Sequence, residues 1–247
     1  MTASLKAEFH KLLSVRSTYF MVGAALLIVM FFAGFVSGFR AIPPDLQAHD
    51  LLVNQSTNGI VFVGLILAFA GLLLLGHEYR YNTIMYTLTA ANRRYKVLLA
   101  KIITVSAFAF VTSLAVALFS PLCTIIGTHL HGYHIAAQTF NYWSVLWRCV
   151  FCGWGYAMYA FILIAILRSQ VGAIVTFLLV PLIGENILSL LLKSNTKYLP
   201  FNALQSVVAP HTLGNHANSG HEALVVLVYI VVGLVISTAL FVKRDAN

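Results

Sequence analysis

Six long apolar stretches, with the basic residues gathered on alternate connections, constrain this chain more than any other feature. The stretches run roughly over 17–38, 59–76, 102–126, 146–167, 171–192 and 222–242. A helix crosses the hydrocarbon core of a bilayer with about 20 consecutive apolar residues. Inside lipid every backbone N–H and C=O must find its partner within the protein, which a helix achieves by itself. Charged residues are only 9% of the chain and hydrophobic ones 60%, far from the composition of soluble domains. The expectation is an all-α, polytopic membrane protein with six transmembrane helices. The second stretch is short for a span and the third is long.

The charge asymmetry orients it. Lys6, Lys11 and Arg16 precede the first stretch; Arg80, Arg93, Arg94, Lys96 and Lys101 lie between the second and third. Arg168 separates the fourth and fifth, and Lys243 and Arg244 follow the sixth. Eleven of the fifteen Lys and Arg residues thus fall on one side, against Arg40, Arg148, Lys193 and Lys197 on the other. The positive-inside rule puts the eleven, and both termini, in the cytoplasm of a cell's inner membrane. The net charge of +8 follows this topology, so anionic lipid headgroups explain it and nucleic acid is not called for.

The first apolar run is about 22 residues, against 7–15 for the core of a signal peptide, and reads as an uncleaved span. Before it, Leu5, Phe9, Leu12 and Leu13 recur at helical spacing, with Lys6, His10 and Ser14 on another face. Residues 1–16 are therefore expected to form an amphipathic helix in the headgroup layer. The longest polar connections, 77–101 inside and 193–221 outside, are too short to bury a core of their own. The chain reads as one transmembrane domain, 1–247. Cys123, Cys149 and Cys152 read as small packing residues in lipid rather than metal ligands or a redox pair. Gly34-x-x-x-Gly38 and the row Cys149, Gly153, Ala157 would let helix backbones approach closely.

The loop after the second span is the most specific segment. It reads His77-Glu78-Tyr79-Arg80-Tyr81-Asn82-Thr83-Ile84-Met85-Tyr86-Thr87-Leu88-Thr89, then Ala90-Ala91-Asn92-Arg93-Arg94-Tyr95. It is no zincin motif, because Tyr81 stands where the second His is needed. Tyr81, Ile84, Met85 and Leu88 recur at helical spacing, giving a short amphipathic helix bounded by charges. Such a helix can merely seal the rim of a membrane protein, or it can receive force from a separate ATPase.

Glu78-Tyr79-Arg80-x-x-Thr83, the short apolar helix and Arg93-Arg94-Tyr95-x-Val97-Leu98-Leu99-Ala100-Lys101 together resemble the permease subunits of type-2 ABC transporters. Leu5 to Leu12 running into Val15-Arg16-Ser17-Thr18-Tyr19 is similar to that family's interfacial helix, and Tyr198 to Leu204 resembles bacterial members. The family's loop often has Gly before the Thr and Arg a few residues later; here they are Asn82 and Tyr86. The resemblance implies that Glu78, Arg80, Thr83, Ile84, Met85, Leu88, Arg93 and Arg94 belong to a coupling helix docked on the ATPase. It also implies two ATPase chains, which would bind ATP and Mg, and a second permease chain, identical or not. This chain has no G-x-x-x-x-G-K-[ST] phosphate loop and is expected to hold no cofactor. Few charges occur in the spans, so the substrate is expected to be hydrophobic or amphipathic: a drug, peptide or lipid-like molecule.

Two charges stand where lipid penalises them. Glu185 lies about seven residues, roughly 10 Å of helix, inside the outer end of the fifth span, and Arg148 lies near the outer end of the fourth. An intramembrane charge is paired or faces water. Glu185 reads as an ion-paired or hydrogen-bonded tie between outer helix ends, with a polar lining of the substrate route or a proton relay as the other reading. The apolar patches Ile187–Leu192 and Leu199–Val208 predict a short helix returning over the outer mouth. Seven of the nine histidines fall outside, among them His129, His131 and His134. Their spacing fits no fixed metal site, but they support an alternative: an ATP-independent sensor or anchor that binds metal or reports pH. No nucleophile with a neighbouring base is present, so the chain is not expected to be an enzyme.

Overall fold

A computed structural model describes residues 2–36, 59–84, 86, 94–130, 142–208 and 219–243. All regular structure among them is helical. Helix α1 (Thr2–Ser14) precedes six spans. Span 1 is α2 (Arg16–Val29), continued by a π-helical stretch, Met30–Val36. Spans 2, 3 and 4 are α3 (Ile60–Arg80), α4 (Arg94–Leu130) and α5 (Tyr142–Leu167). Span 5 is built of α6 (Gln170–Leu179), a π turn (Val180–Gly184) and α7 (Glu185–Leu192). A 3-10 turn (Lys193–Tyr198) leads to the short helix α8 (Pro200–Val208), and span 6 is α9 (Ser219–Lys243).

Span 4 is the central post. It packs against spans 2, 3, 5 and 6 and against α8, and 72% of its apolar window is buried, against 11% for span 5. Lipid tails are as apolar as leucine, so close backbone contact rather than water exclusion holds such helices together. The residues of span 4 suit this role. A Cβ at Gly71 of span 2 would come within 2.9 Å of the Ala157 carbonyl, and backbone cannot yield. A Cβ at Gly153 would collide with Ser113 of span 3. The row Cys149, Gly153, Ala157 is thus an internal seam, and the buried Cys149 and Cys152 are free thiols in it. Gly34 likewise faces Cys123 of span 3 within the same chain; Gly38 lies outside the described residues. The Trp154 indole N–H donates to Ser106 Oγ at 2.7 Å, pinning spans 4 and 3.

Two span boundaries differ from the hydropathy reading. Span 2 continues through His77-Glu78-Tyr79-Arg80, and span 3 begins well before Lys101. The charges that end the apolar runs are buried and paired, so the helices carry on through them. Polar connection between the two spans shrinks to 81–93. Spans 4 and 5 are joined by Arg168 and Ser169 alone. Arg168 adopts a left-handed φ of 53°, and Ser169 Oγ accepts the Gly172 N–H at 3.2 Å, capping α6.

Candidate functional site

The α1 face of the bundle holds four charges in one cluster. Helix α1 brings Glu8 and Lys11, the last turns of span 2 bring Glu78, and the first turns of span 3 bring Lys101. Lys101 Nζ donates to Glu78 Oε1 at 2.6 Å and to Glu8 Oε2 at 3.0 Å. Lys11 Nζ donates to Glu8 Oε1 and Glu78 Oε1, both at 2.9 Å. Lys101 is fully buried, Glu8 is 3% exposed and Glu78 7% exposed, while the Lys11 side chain is 48% exposed. Buried charges persist only when paired and hydrogen-bonded, and two acids facing two bases leave the cluster neutral. Burial pulls the Lys11 ammonium downward in pKa, but its bonds to Glu78 and Glu8 outweigh that, and its pKa stands above the ordinary value. A cleft of about 460 Å³ opens beside the cluster, between α1, span 1 and span 2, with Thr83 and Tyr86 at its rim.

Glu8 reorders the expected face of α1. It is the most buried described side chain of the helix, while Leu13, read as part of the apolar face, is 58% exposed. The ammonium partners compensate Glu8, and Leu13 turns outward to where lipid would lie.

The loop roots are equally specific. Span 2 ends in a Schellman motif: the Thr83 N–H donates to the Glu78 carbonyl at 3.0 Å and the Asn82 N–H to that of Tyr79 at 3.4 Å. Asn82 sits at the left-handed position, φ 53°. Asparagine tolerates this conformation better than most residues, which accounts for its standing where the resemblance has Gly. Arg80, Tyr81 and Thr83 are exposed, with the Arg80 guanidinium 5.5 Å from the Tyr81 ring centroid. Ile84 is buried in the core, and Glu78 points into the charge cluster. Arg94 opens α4; Met85, Leu88 and Arg93 lie outside the described residues.

On the opposite face, Glu185 is 3% exposed and follows directly on the π turn of span 5. The Phe201 N–H donates to Glu185 Oε1 and the Asn202 N–H to Oε2, both at 2.7 Å. The first turn of α8 is thereby accounted for. Pro200 has no N–H, Phe201 and Asn202 bond the carboxylate, and the Ala203 N–H donates to the Leu199 carbonyl at 2.8 Å. A carboxylate there also meets the positive end of the helix dipole. The returning helix expected over 199–208 is α8 itself, packed against spans 6 and 4. Phe201 packs edge-on to Tyr159 and Phe177 with ring centroids 5.4 Å apart in each pair. The Tyr159 hydroxyl donates to the Pro200 carbonyl at 3.4 Å. Glu185 therefore takes the hydrogen-bonded form of the expected tie. Arg148 instead shares an electrostatic environment with Glu222 of span 6.

Among the described residues no three His, Cys, Asp or Glu side chains converge as metal ligands. His131 and His134 lie outside the described residues.

The fold and its charged sites define a multi-pass helical membrane protein in which an N-terminal helix is bonded to spans 2 and 3 through Glu78 and Lys101. The family described as ABC-2 family transporter protein matches residues 4–184, and the chain belongs to that family. It is a transport permease subunit, and membership implies an ABC ATPase partner and a membrane setting. No curated protein matches the chain. The family match ends one residue before Glu185.

Proposed function

We propose that this chain is the membrane subunit of an ATP-driven exporter in the inner membrane, with the α1 face in the cytoplasm and α8 outside. The observation that carries the reading is the rooting of the 81–93 loop. Its two ends rise from helices locked to each other and to α1 by Glu78, Lys101, Glu8 and Lys11. A push on the loop is therefore delivered to three helices at once rather than absorbed at a floppy rim. Two ATPase chains, holding ATP and Mg, would press on the loops of two permease chains. Arg80, Tyr81 and Thr83 lie on the exposed surface that would meet the ATPase. The route between the permease chains would be largely apolar and suit a hydrophobic or amphipathic drug, peptide or lipid-like molecule.

The test is purification with and without the products of neighbouring genes. The chain alone is expected to hydrolyse no ATP and to copurify with an ATPase. Met85→Asp or Leu88→Asp is expected to leave the chain inserted and abolish that pull-down. ATP turnover by the isolated chain, or pull-down at full strength by both variants, would refute the reading.

A further inference from the structure

We infer that Glu185 is a positioning residue for transport: its carboxylate latches α8 to the root of α7 in span 5, and pivoting of the outer half of span 5 withdraws it. The inference rests on the transport reading for its consequence, but the latch itself is geometric.

Three observations carry it. First, span 5 is interrupted at Val180–Gly184, immediately before Glu185. A π turn replaces the regular i→i−4 ladder there, Pro181 removes one donor, and a Cβ at Gly184 would meet nothing within 4 Å. Such a segment lacks a regular ladder to fix its direction, and of its residues only Val180 packs against the core among the described residues. Second, among the described residues α7 has substantial contacts only with the π turn before it and the 3-10 turn after it. Leu190 and Leu191 of α7 are more than 70% exposed, whereas Glu185 at its root is almost wholly buried. Third, the carboxylate spends both oxygens on the N–H groups of Phe201 and Asn202, which have no helical partner of their own. The rest of α8 is held by packing on span 6 and on span 4, where Leu204 lies against Gly155, and by Phe177 of span 5.

Each side thus needs the other. With the carboxylate in place, the first-turn donors are satisfied and α8 stays seated over Tyr156, Tyr159 and Phe177. When α7 swings about residues 180–184, the carboxylate leaves, two N–H groups lose their acceptor, and α8 loosens from its seat. Phe201, Leu204 and Val207, now buried, would then border the outer mouth.

The experiment places one cysteine at Ala203→Cys, a fully buried position of α8, in a chain carrying Cys123→Ala, Cys149→Ala and Cys152→Ala. A second reporter, Ala160→Cys, sits at a fully buried position of span 4. Labelling by a hydrophilic methanethiosulfonate is timed in nanodiscs, where the reagent reaches both faces. Glu185→Leu should speed labelling at position 203 by at least about 10-fold, the scale of one charge-assisted hydrogen bond. Position 160 should keep its wild-type rate. Glu185→Gln keeps one acceptor oxygen and should fall between wild type and Glu185→Leu at position 203. It also keeps the test alive if the leucine variant does not fold. Unchanged labelling at 203, or equal acceleration at 160, overturns the latch. With the ATPase partner bound, Glu185→Leu should keep ATP hydrolysis and lose transport. Wild-type transport by that variant would reduce Glu185 to a structural cap and overturn its role. Failure to find any ATPase partner would sink the exporter reading, and the labelling rates would still decide the latch.

Discussion

On the α1 face, Glu8 and Glu78 meet two lysine ammoniums; on the α8 face, Glu185 meets two backbone N–H groups. All three carboxylates are at most 7% exposed. The difference lies in what each solution ties together. The lysine cluster is neutral and joins three helices far apart in sequence, so removing one member leaves charge stranded in the others. The cap relies on the end of one short helix and joins only span 5 to α8. It can be undone by local motion. The first arrangement suits a joint that must never open, the second a contact that opens and closes.

Lys101→Met attacks the comparison where the effect should be largest. It leaves Glu8 and Glu78 facing one partly exposed lysine, and breaking a buried pair from one side costs about 3–5 kcal/mol. Unfolding in a graded mixture of SDS and mild detergent measures this. Adding Glu8→Gln should recover part of the loss, because one stranded charge disappears; a further drop would show that the residues do not act as a neutral set.

Glu185→Leu should cost less, because the buried carboxylate is removed together with its two hydrogen bonds and no opposite charge is left behind. If it destabilises the protein more than Lys101→Met in the same assay, the ranking of the two faces is wrong.

Lys11 sharpens the first face alone. Because its side chain is half exposed, Lys11→Met should cost below about 1 kcal/mol after solvent screening. Its folded-state pKa is raised above the ordinary 10.5. Its stabilising contribution is therefore complete below that value and is lost as pH climbs through the higher folded value. Stability measured from neutral pH into this alkaline range should fall in the wild-type protein and fall less in Lys11→Met; parallel curves would remove Lys11 from the network.

The smallest effect is expected from His129→Ala, His131→Ala and His134→Ala together. Transport by this variant should stay near wild type, well above that of Glu185→Leu. Loss of activity in the triple variant, with Glu185→Leu active, would bring the metal or pH-sensor reading forward.

The six spans were legible because hydropathy is a local property and lipid demands it. The misplaced ends of spans 2 and 3 on the α1 face have one cause. Glu78 and Lys101 look like stop signals in a window of sequence, yet each is the other's partner, and Glu8 is 93 residues from Lys101. No local pattern reports that. Lys101 counted toward topology, and its second task was invisible. Glu185 stood out as a misplaced charge, but its partners are main-chain N–H groups, which every residue except proline possesses. Pro200, opening a helix whose next two donors need an acceptor, was the available clue. Asn82 shows the opposite case: the departure from Gly became intelligible once its backbone was seen to be left-handed.

Span 3 has a mechanical consequence. Its helix, Arg94–Leu130, has 37 residues. At 1.5 Å per residue it is roughly 55 Å long, against about 30 Å for the hydrocarbon it crosses. It therefore projects beyond the membrane, and one of its ends is the root of the 81–93 loop. A tilt of about 5° about a point near the middle of such a rod displaces each end by about 2 Å. Span 3 is in this sense a lever of two nearly equal arms, with Lys101 on one of them and a fulcrum where Gly153 lets span 4 press against Ser113.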